Sequence, residues 1–271
     1  MSVSGVEAER LADLIEARAC ADLYAAAPAA LQACAHAMAG ATVLCLPTLP
    51  VSYFNRVVGL GNDQPATEAD LDLVIGIFSS AGVPEYWIQL SPGARPAELP
   101  RMLAARGFAP PPRRSWSKFL RATEPAPTAK CEYAIRPARA ADAQAIAQVV
   151  ATAYGMPPAI APWFAALVGR PDWQVWVAEQ AGAIVATGSL YVTGRHGWLG
   201  VGATLATHRG RGAQSSLLAA RVRAAREAGC DMVATETGDP VSDEKNQSLE
   251  NIRRAGFEWV CSRVNYRNGV V

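Results

Sequence analysis

Apolar residues recur at helical spacing near the start of the chain. Leu11, Leu14, Ile15, Ala19 and Leu23 share one face, which predicts a helix over 5–25. An alanine-rich run from Pro28 to Met38 predicts a second helix, ended by Gly40, with a strand from Ala41 to Leu46. Thr67, with Asp70 three residues on, is an N-cap for a helix to about Ser80. A strand over 85–90, a helix over 96–106 stopped by Gly107 and a strand over 115–120 follow. Residues 122–130 hold two prolines, two threonines and no large apolar side chain, the composition of an interdomain linker.

The second half restarts the pattern. A strand at 133–137 leads to helices at 140–154 and 161–168, then strands at 173–179 and 184–193. Further on, a strand at 232–236, a helix at about 247–255 and strand-like sequence at 259–266 close the chain. Between them, an apolar, glycine-rich strand ending near Leu205 runs into Arg209-Gly-Arg-Gly-Ala-Gln214 and then a helix. That helix carries Leu217, Leu218, Val222 and Ala225 on one face, with Arg221, Arg223, Arg226 and Glu227 mostly on the others. The two halves also echo each other. Ala81-Gly82-Val83 and Ala228-Gly229-Cys230 open strands, and Gly107-Phe108 and Gly256-Phe257 end helices, at nearly the same offset. A duplication is one account, and chance similarity of two strand–helix–glycine units is the other.

A glycine turn feeding a helix start leaves backbone N–H groups unpaired and pointing the same way, which suits an anion such as phosphate. Arg209 and Arg211 add positive charge. The alternative is a tight turn with no ligand. The stretch is not a Walker loop, since no Gly-Lys-Ser/Thr follows. It is not a dinucleotide fingerprint, since the third glycine is missing.

Composition narrows the partners. A formal net charge of +1 over 271 residues argues against a general electrostatic grip on nucleic acid or anionic membrane. No basic-then-apolar leader opens the chain, and the alanine-rich run at 25–39 is too short and too weakly apolar to span a bilayer. Six scattered cysteines without a Cys-x-x-Cys pair predict free thiols in a reducing cytoplasm. Three dispersed histidines predict no metal site.

Three features together resemble the GNAT superfamily of acyl-CoA-dependent N-acyltransferases. The Arg209–Gln214 loop is similar to the family's Arg/Gln-x-x-Gly-x-Gly/Ala pyrophosphate loop. Asn246-Gln-Ser-Leu-Glu-Asn251-Ile-Arg-Arg-Ala-Gly256-Phe257 is similar to its Asn-containing helix ending in Gly-Phe. Ile135-Arg136-Pro137-Ala138 followed by Ala141-Asp142 is similar to its opening strand and helix. The resemblance covers about residues 133–267. It implies an α/β (α+β) chain of two GNAT-like domains, each a mixed, mostly antiparallel sheet flanked by helices. Residues 1–121 would be a degenerate N-terminal copy, 122–131 the linker and 132–271 the acetyltransferase domain.

The resemblance also implies a chemistry. Backbone N–H groups of Gly210, Arg211, Gly212, Ala213, Gln214 and Ser215, beside Arg209, would hold the pyrophosphate of acetyl-CoA. The backbone of Gly202, Ala203 and Thr204 would pair with the pantetheine arm, one N–H polarising the thioester carbonyl. Asn246 would bond the pantetheine amides. Glu236 would take the proton from an amine acceptor, a small molecule or peptide. Two departures stand out: Gln214 replaces the loop's last small residue, and Ile252 occupies the position where members often carry a tyrosine acid. Water, Tyr266 or another group would then protonate the thiolate, or no acid is needed, since a coenzyme A thiol leaves tolerably well unaided. A non-catalytic acyl-CoA sensor is the competing function, and a homodimer is compatible with either. His208 and His196 read as solvated turn residues, and Trp163, Trp173, Trp176 and Tyr154 mostly as core or rim, with one or two of them able to line the acceptor pocket.

Overall fold

The fold was obtained as a computed structural model, which describes residues 5–49, 51–110, 115–240 and 245–269. In chain order its elements begin with α1 (Gly5–Ala25), β1 (Cys34–Met38), β2 (Ala41–Cys45), β3 (Arg56–Val58), α2 (Glu68–Ser80), β4 (Trp87–Leu90), α3 (Leu99–Ala104), β5 (Phe108–Ala109) and β6 (Ser115–Ala122). They continue with β7 (Ala134–Pro137), α4 (Ala143–Tyr154), α5 (Ala161–Ala165), β8 (Trp173–Gln180), β9 (Ala183–Thr193) and β10 (His196–Thr204). Last come α6 (Ala213–Glu227), β11 (Met232–Gly238), α7 (Gln247–Arg254) and β12 (Glu258–Asn268). This is a mixed α/β chain with mostly antiparallel pairing, as expected.

The chain forms two compact units. The first comprises Met1–Lys118, Glu236–Glu244 and Trp259–Val271; the second comprises Phe119–Thr235 and Lys245–Glu258. This division differs from the one read from the sequence. The C-terminal strand packs with the first unit, because β12 pairs antiparallel with β4 from Val264↔Leu90 to Arg267↔Trp87. The segment at 122–131 is anchored in the second unit: Thr123 donates from its backbone N–H to Asp231 O at 2.9 Å and from Oγ1 to Cys230 O at 2.8 Å.

In the first unit the order is β1-β2-β3-β4-β12, with β3 and β4 parallel and their neighbours antiparallel. Helix α2 joins the parallel pair. Leu71, Val74 and Phe78 from α2 pack on Val43, Val57 and Ile88 of the sheet, and Phe78 stacks on Tyr86 with ring centroids 3.9 Å apart. Residues 28–38 depart from the predicted helix. Only 29–31 form a 3-10 turn, and 34–38 form β1. Ala39 and Gly40 make a two-residue turn with φ of 44° and 76°, closing a hairpin from Met38↔Ala41 to Cys34↔Cys45. Partner strand β2 thus overrides the helix preference of the alanines.

The second unit has the order β11-β10-β9-β8-β7, with β10 and β11 parallel and joined by α6. Leu218, Val222 and Ala225 of α6 bury against Leu190, Leu199 and Val233, and Ile252 and Phe257 complete that core. Arg136 on β7 ties the unit's opening together: it bonds Asp142 at 2.6 Å and Glu179 at 2.5 Å. The hydrogen bonds from the Arg136 guanidinium and the Arg139 N–H hold the Asp142 carboxyl down at about 2.

Candidate functional site

The predicted loop residues come together in the second unit. After β10, a 3-10 turn at Ala206–His208 leads into Arg209, then Gly210 at φ 77° and Gly212 at φ 82°, both in the left-handed region that glycine tolerates. Gly212 is the N-cap of α6, and no side chain caps it. The helix's bond from Ser216 N–H to Gly212 O spans 3.0 Å. The amides of Ala213, Gln214 and Ser215 therefore precede the first intrahelical donor, Ser216 N–H, and lie at the positive end of the helix dipole. Arg209 and Arg211 are exposed beside them.

Gly212 is required for a second reason, which the sequence did not reveal. A Cβ there would lie 2.5 Å from Lys130 O and 3.1 Å from Cys131 Cβ, because residues 130–131 pass directly against the turn. Gly210 has open space around it, so only its backbone angle demands glycine.

Gln214, the departure from the family loop, turns to α7. Its Nε2 donates to Ser248 Oγ at 3.0 Å, and its Oε1 accepts from Asn251 Nδ2 at 2.6 Å. Its backbone N–H stays at the helix start. Asn246 is the N-cap of α7, where its Oδ1 accepts from Leu249 N–H at 3.0 Å. His208 sits against Tyr133, whose hydroxyl donates to the His208 carbonyl at 3.2 Å.

Gly202, Ala203 and Thr204 lie at a break in β10. The pairing runs Gly200↔Ser189 and then Ala203↔Thr187, so Val201 and Gly202 together face Gly188. This is a β-bulge, which interrupts a ladder and leaves backbone groups available. Val201 adopts φ 48°, a costly angle for a β-branched residue. The Tyr154 hydroxyl donates to Gly202 O at 2.8 Å. The sequence leaves Tyr154 between core, rim and pocket. It is half exposed at the end of α4, and no local signal connects it with a strand 48 residues away.

Arg221 departs from the polar helix face expected for it. It is 3% exposed, and its guanidinium lies under the bulge. The signal for it was indirect: Gly188 on β9 has no side chain, and a Cβ there would meet the guanidinium, whereas one on Gly200 would meet the Trp198 ring.

Glu236 falls on β11 as expected, but its contacts place it in the first unit. Its carboxylate pairs with Lys118 Nζ and lies 3.7 Å from Arg56 Nη2 and 3.6 Å from Arg263 Nη2. Asp13 and Glu16 of α1 complete a buried group of three carboxylates and three cations. Glu236 is therefore a counter-ion in that group. Of the other nearby acids, Asp239 accepts from Ser115 and Ser117, and Glu244 lies outside the described residues. Ile252 is 2% exposed in the second unit's core. Tyr266 belongs to the first unit, on β12.

The two helix starts that follow the parallel strands differ. Helix α2 opens with a closed capping box: Thr67 Oγ1 accepts from Asp70 N–H at 3.2 Å, and Asp70 accepts from Thr67 N–H at 2.8 Å. Glu68 and Asp70 add negative charge to its first turn. The start of α2 is satisfied by its own side chains and repels anions, whereas that of α6 is uncapped and flanked by arginines.

Comparison with known proteins agrees with this geometry. Residues 142–247 match the Acetyltransferase (GNAT) family. No curated protein sequence matches significantly. Among solved structures, a GCN5-related N-acetyltransferase from Kribbella flavida superposes with a TM-score of 0.64 at 17% identity, covering 96% of each chain. One from Sphaerobacter thermophilus gives 0.60 at 17% identity, covering 84% of this chain and 80% of its own. A tandem GNAT protein from the clavulanic acid biosynthesis pathway gives 0.55 at 15% identity, covering 78% and 74%. These likenesses show the fold. The family match is confined to residues 142–247, within the second half of the chain.

Proposed function

We propose that this protein is an N-acyltransferase that moves an acetyl or other short acyl group from coenzyme A to an amine by direct attack on the thioester. The observation that carries the reading is the uncapped start of α6: two left-handed glycines, three helix-start amides and two exposed arginines around one turn. Gly210 to Ser215 would cradle the pyrophosphate through backbone N–H groups, with Arg209 and Arg211 supplying positive charge. The bulge at Gly202, Ala203 and Thr204 would offer its backbone to the pantetheine arm and one N–H to the thioester carbonyl. Asn246 starts α7 beside this site and would meet the pantetheine amides.

The acceptor amine must lose a proton. Glu236 was the carboxylate expected to take it, but its three cation partners occupy it, so the proposal does not route the proton through it. A coenzyme A thiol is acidic enough to leave without a strong acid, which fits a core isoleucine at 252. The substrate class is a small-molecule or peptide amine, and the proposed location is the cytoplasm. The first unit would be a degenerate copy of the fold. It shares the order of a parallel strand pair joined by a helix, and the capping box of α2 replaces an anion site.

Calorimetric titration with acetyl-CoA tests the assignment. The wild type should show saturable binding. Gly210→Asp should bind about tenfold more weakly or worse, because it sets a carboxylate beside the pyrophosphate in open space. Equal affinities would sink the site. A second reading, an acyl-CoA sensor without turnover, draws support from the buried Ile252 and the ion-paired Glu236. Release of free thiol in the presence of an amine separates the two: the enzyme consumes acetyl-CoA and the sensor only holds it.

A further inference from the structure

Arg221 sits in the middle of α6, 3% exposed, and no carboxylate lies within ion-pair distance of it among the described residues. Burial pulls its pKa down to about 10, so it remains a cation at neutral pH. Its partners are backbone carbonyls: Nε donates to Leu217 O at 3.1 Å, and Nη1 donates to Ser189 O at 3.1 Å and Gly200 O at 3.3 Å. A buried cation without a counter-ion is costly, and an apolar residue would suit this helix face. The sheet has been cleared for it: a Cβ on Gly188 would lie 2.6 Å from the guanidinium carbon. Ser189 and Gly200 are the last residue pair before the register of β9 and β10 breaks. Beyond the break, Nη2 lies 4.0 Å from the point where a Gly202 side chain would begin. On Gly202 itself, the carbonyl is held by Tyr154.

We propose that Arg221 is a positioning residue for acyl transfer, holding the β10 bulge in the conformation that meets the thioester and placing a fixed positive charge against it. During attack, the free amine nitrogen forms a bond to the thioester carbon, the carbonyl electron pair moves onto oxygen, and a proton on nitrogen passes to solvent water. Negative charge then develops beside the bulge, and it returns to expel the thiolate as the C–S bond breaks. A preoriented cation and a rigid bulge stabilise that charge more than they stabilise the neutral thioester. The proposal rests on the acyltransferase reading above.

The test compares the wild type with Arg221→Met, Arg221→Lys and Gly188→Ala, measuring thiol release and acetyl-CoA affinity by calorimetry for each. Arg221→Met should lose about 100-fold in kcat while its Kd for acetyl-CoA, carried mainly by the pyrophosphate turn at 210–215 and not by the bulge, stays within about threefold of wild type. Arg221→Lys should recover about tenfold of that loss, since it keeps the charge but not the forked geometry. Gly188→Ala should lower kcat with Kd unchanged, because its methyl displaces the guanidinium without removing it. A folded Arg221→Met with kcat within about threefold of wild type overturns the proposal. So does a parallel loss of kcat and coenzyme affinity across the variants, which marks a merely structural role. If Arg221→Met fails to fold, Arg221→Lys and Gly188→Ala decide by the same split. A wild type that binds acetyl-CoA yet turns over no amine overturns the acyltransferase reading and this proposal together.

Discussion

Two glycines two residues apart carry different burdens in the same turn. Gly210 answers only to its backbone angle, whereas Gly212 answers to its angle and to the carbonyl of Lys130. Gly212→Ala should therefore destabilise the protein by about 2 kcal/mol or more, combining left-handed strain with a contact that must open. Gly210→Ala should cost about half as much, from strain alone. Urea denaturation of the two variants checks the ordering; equal losses would mean that residues 130–131 yield freely. The loop itself was legible in the sequence, because glycines flanked by arginines before an apolar helix stripe have few readings. The pressure from residues 130–131 was not, since they are distant in sequence and bear no motif. The same holds for Arg221. A helical period assigned it to a polar face, and only the gap left by Gly188 shows why it is inside.

Caps at the element scale separate the two helix starts. The Thr67–Asp70 box was visible as a spacing, and it forms with both of its hydrogen bonds. Thr67→Ala should cost about 1 kcal/mol in thermal or chemical unfolding and leave acetyl-CoA affinity unchanged, since α2 belongs to the first unit. A drop in coenzyme affinity would show that the first unit takes part in binding. The hairpin at 34–45 shows the opposite case. Alanine content argued for helix, and the structure answers with β1, because Ala39 and Gly40 both take positive φ and bring Met38 onto Ala41. Local preference is worth only tenths of a kcal/mol per residue, so a paired neighbour outweighs it.

Across the whole chain, the buried charge group of the first unit gathers α1, β3, β6, β11 and β12 around Glu16. Burial alone would raise the Glu16 pKa, but Arg263, Lys118 and Arg56 outweigh it and hold the carboxyl at about 2 instead of 4.5. A lowered carboxylate pKa stabilises the folded state above the unfolded value and loses that contribution as pH falls through the folded one. Stability should accordingly drop between pH 4.5 and about 2, by on the order of 3 kcal/mol from this group. Glu16→Gln should lower stability at neutral pH by roughly 3–5 kcal/mol, because Arg56 and Arg263 lose a shared counter-ion and Lys118, which burial pulls down to about 7, loses its hydrogen-bond partner, and should flatten the acid dependence in that window. Urea unfolding at pH 7 and pH 3 reads both; a variant as stable as wild type at pH 7 would show that Asp13 and Glu236 suffice to balance the cations.

The sequence alone determined the loop at 209–214, the helices with strong apolar periods and the likeness of residues 133–267 to acyltransferases, because each is written in contiguous residues whose spacing maps onto one local geometry. Tertiary structure decided the rest. It drew the C-terminal strand into the first unit, made Glu236 a counter-ion, turned Gln214 toward α7 and set Arg221 and Tyr154 on the bulge. Each of these depends on which distant residues meet. Strand pairing and buried charge are settled by partners far along the chain, which no local period or motif encodes.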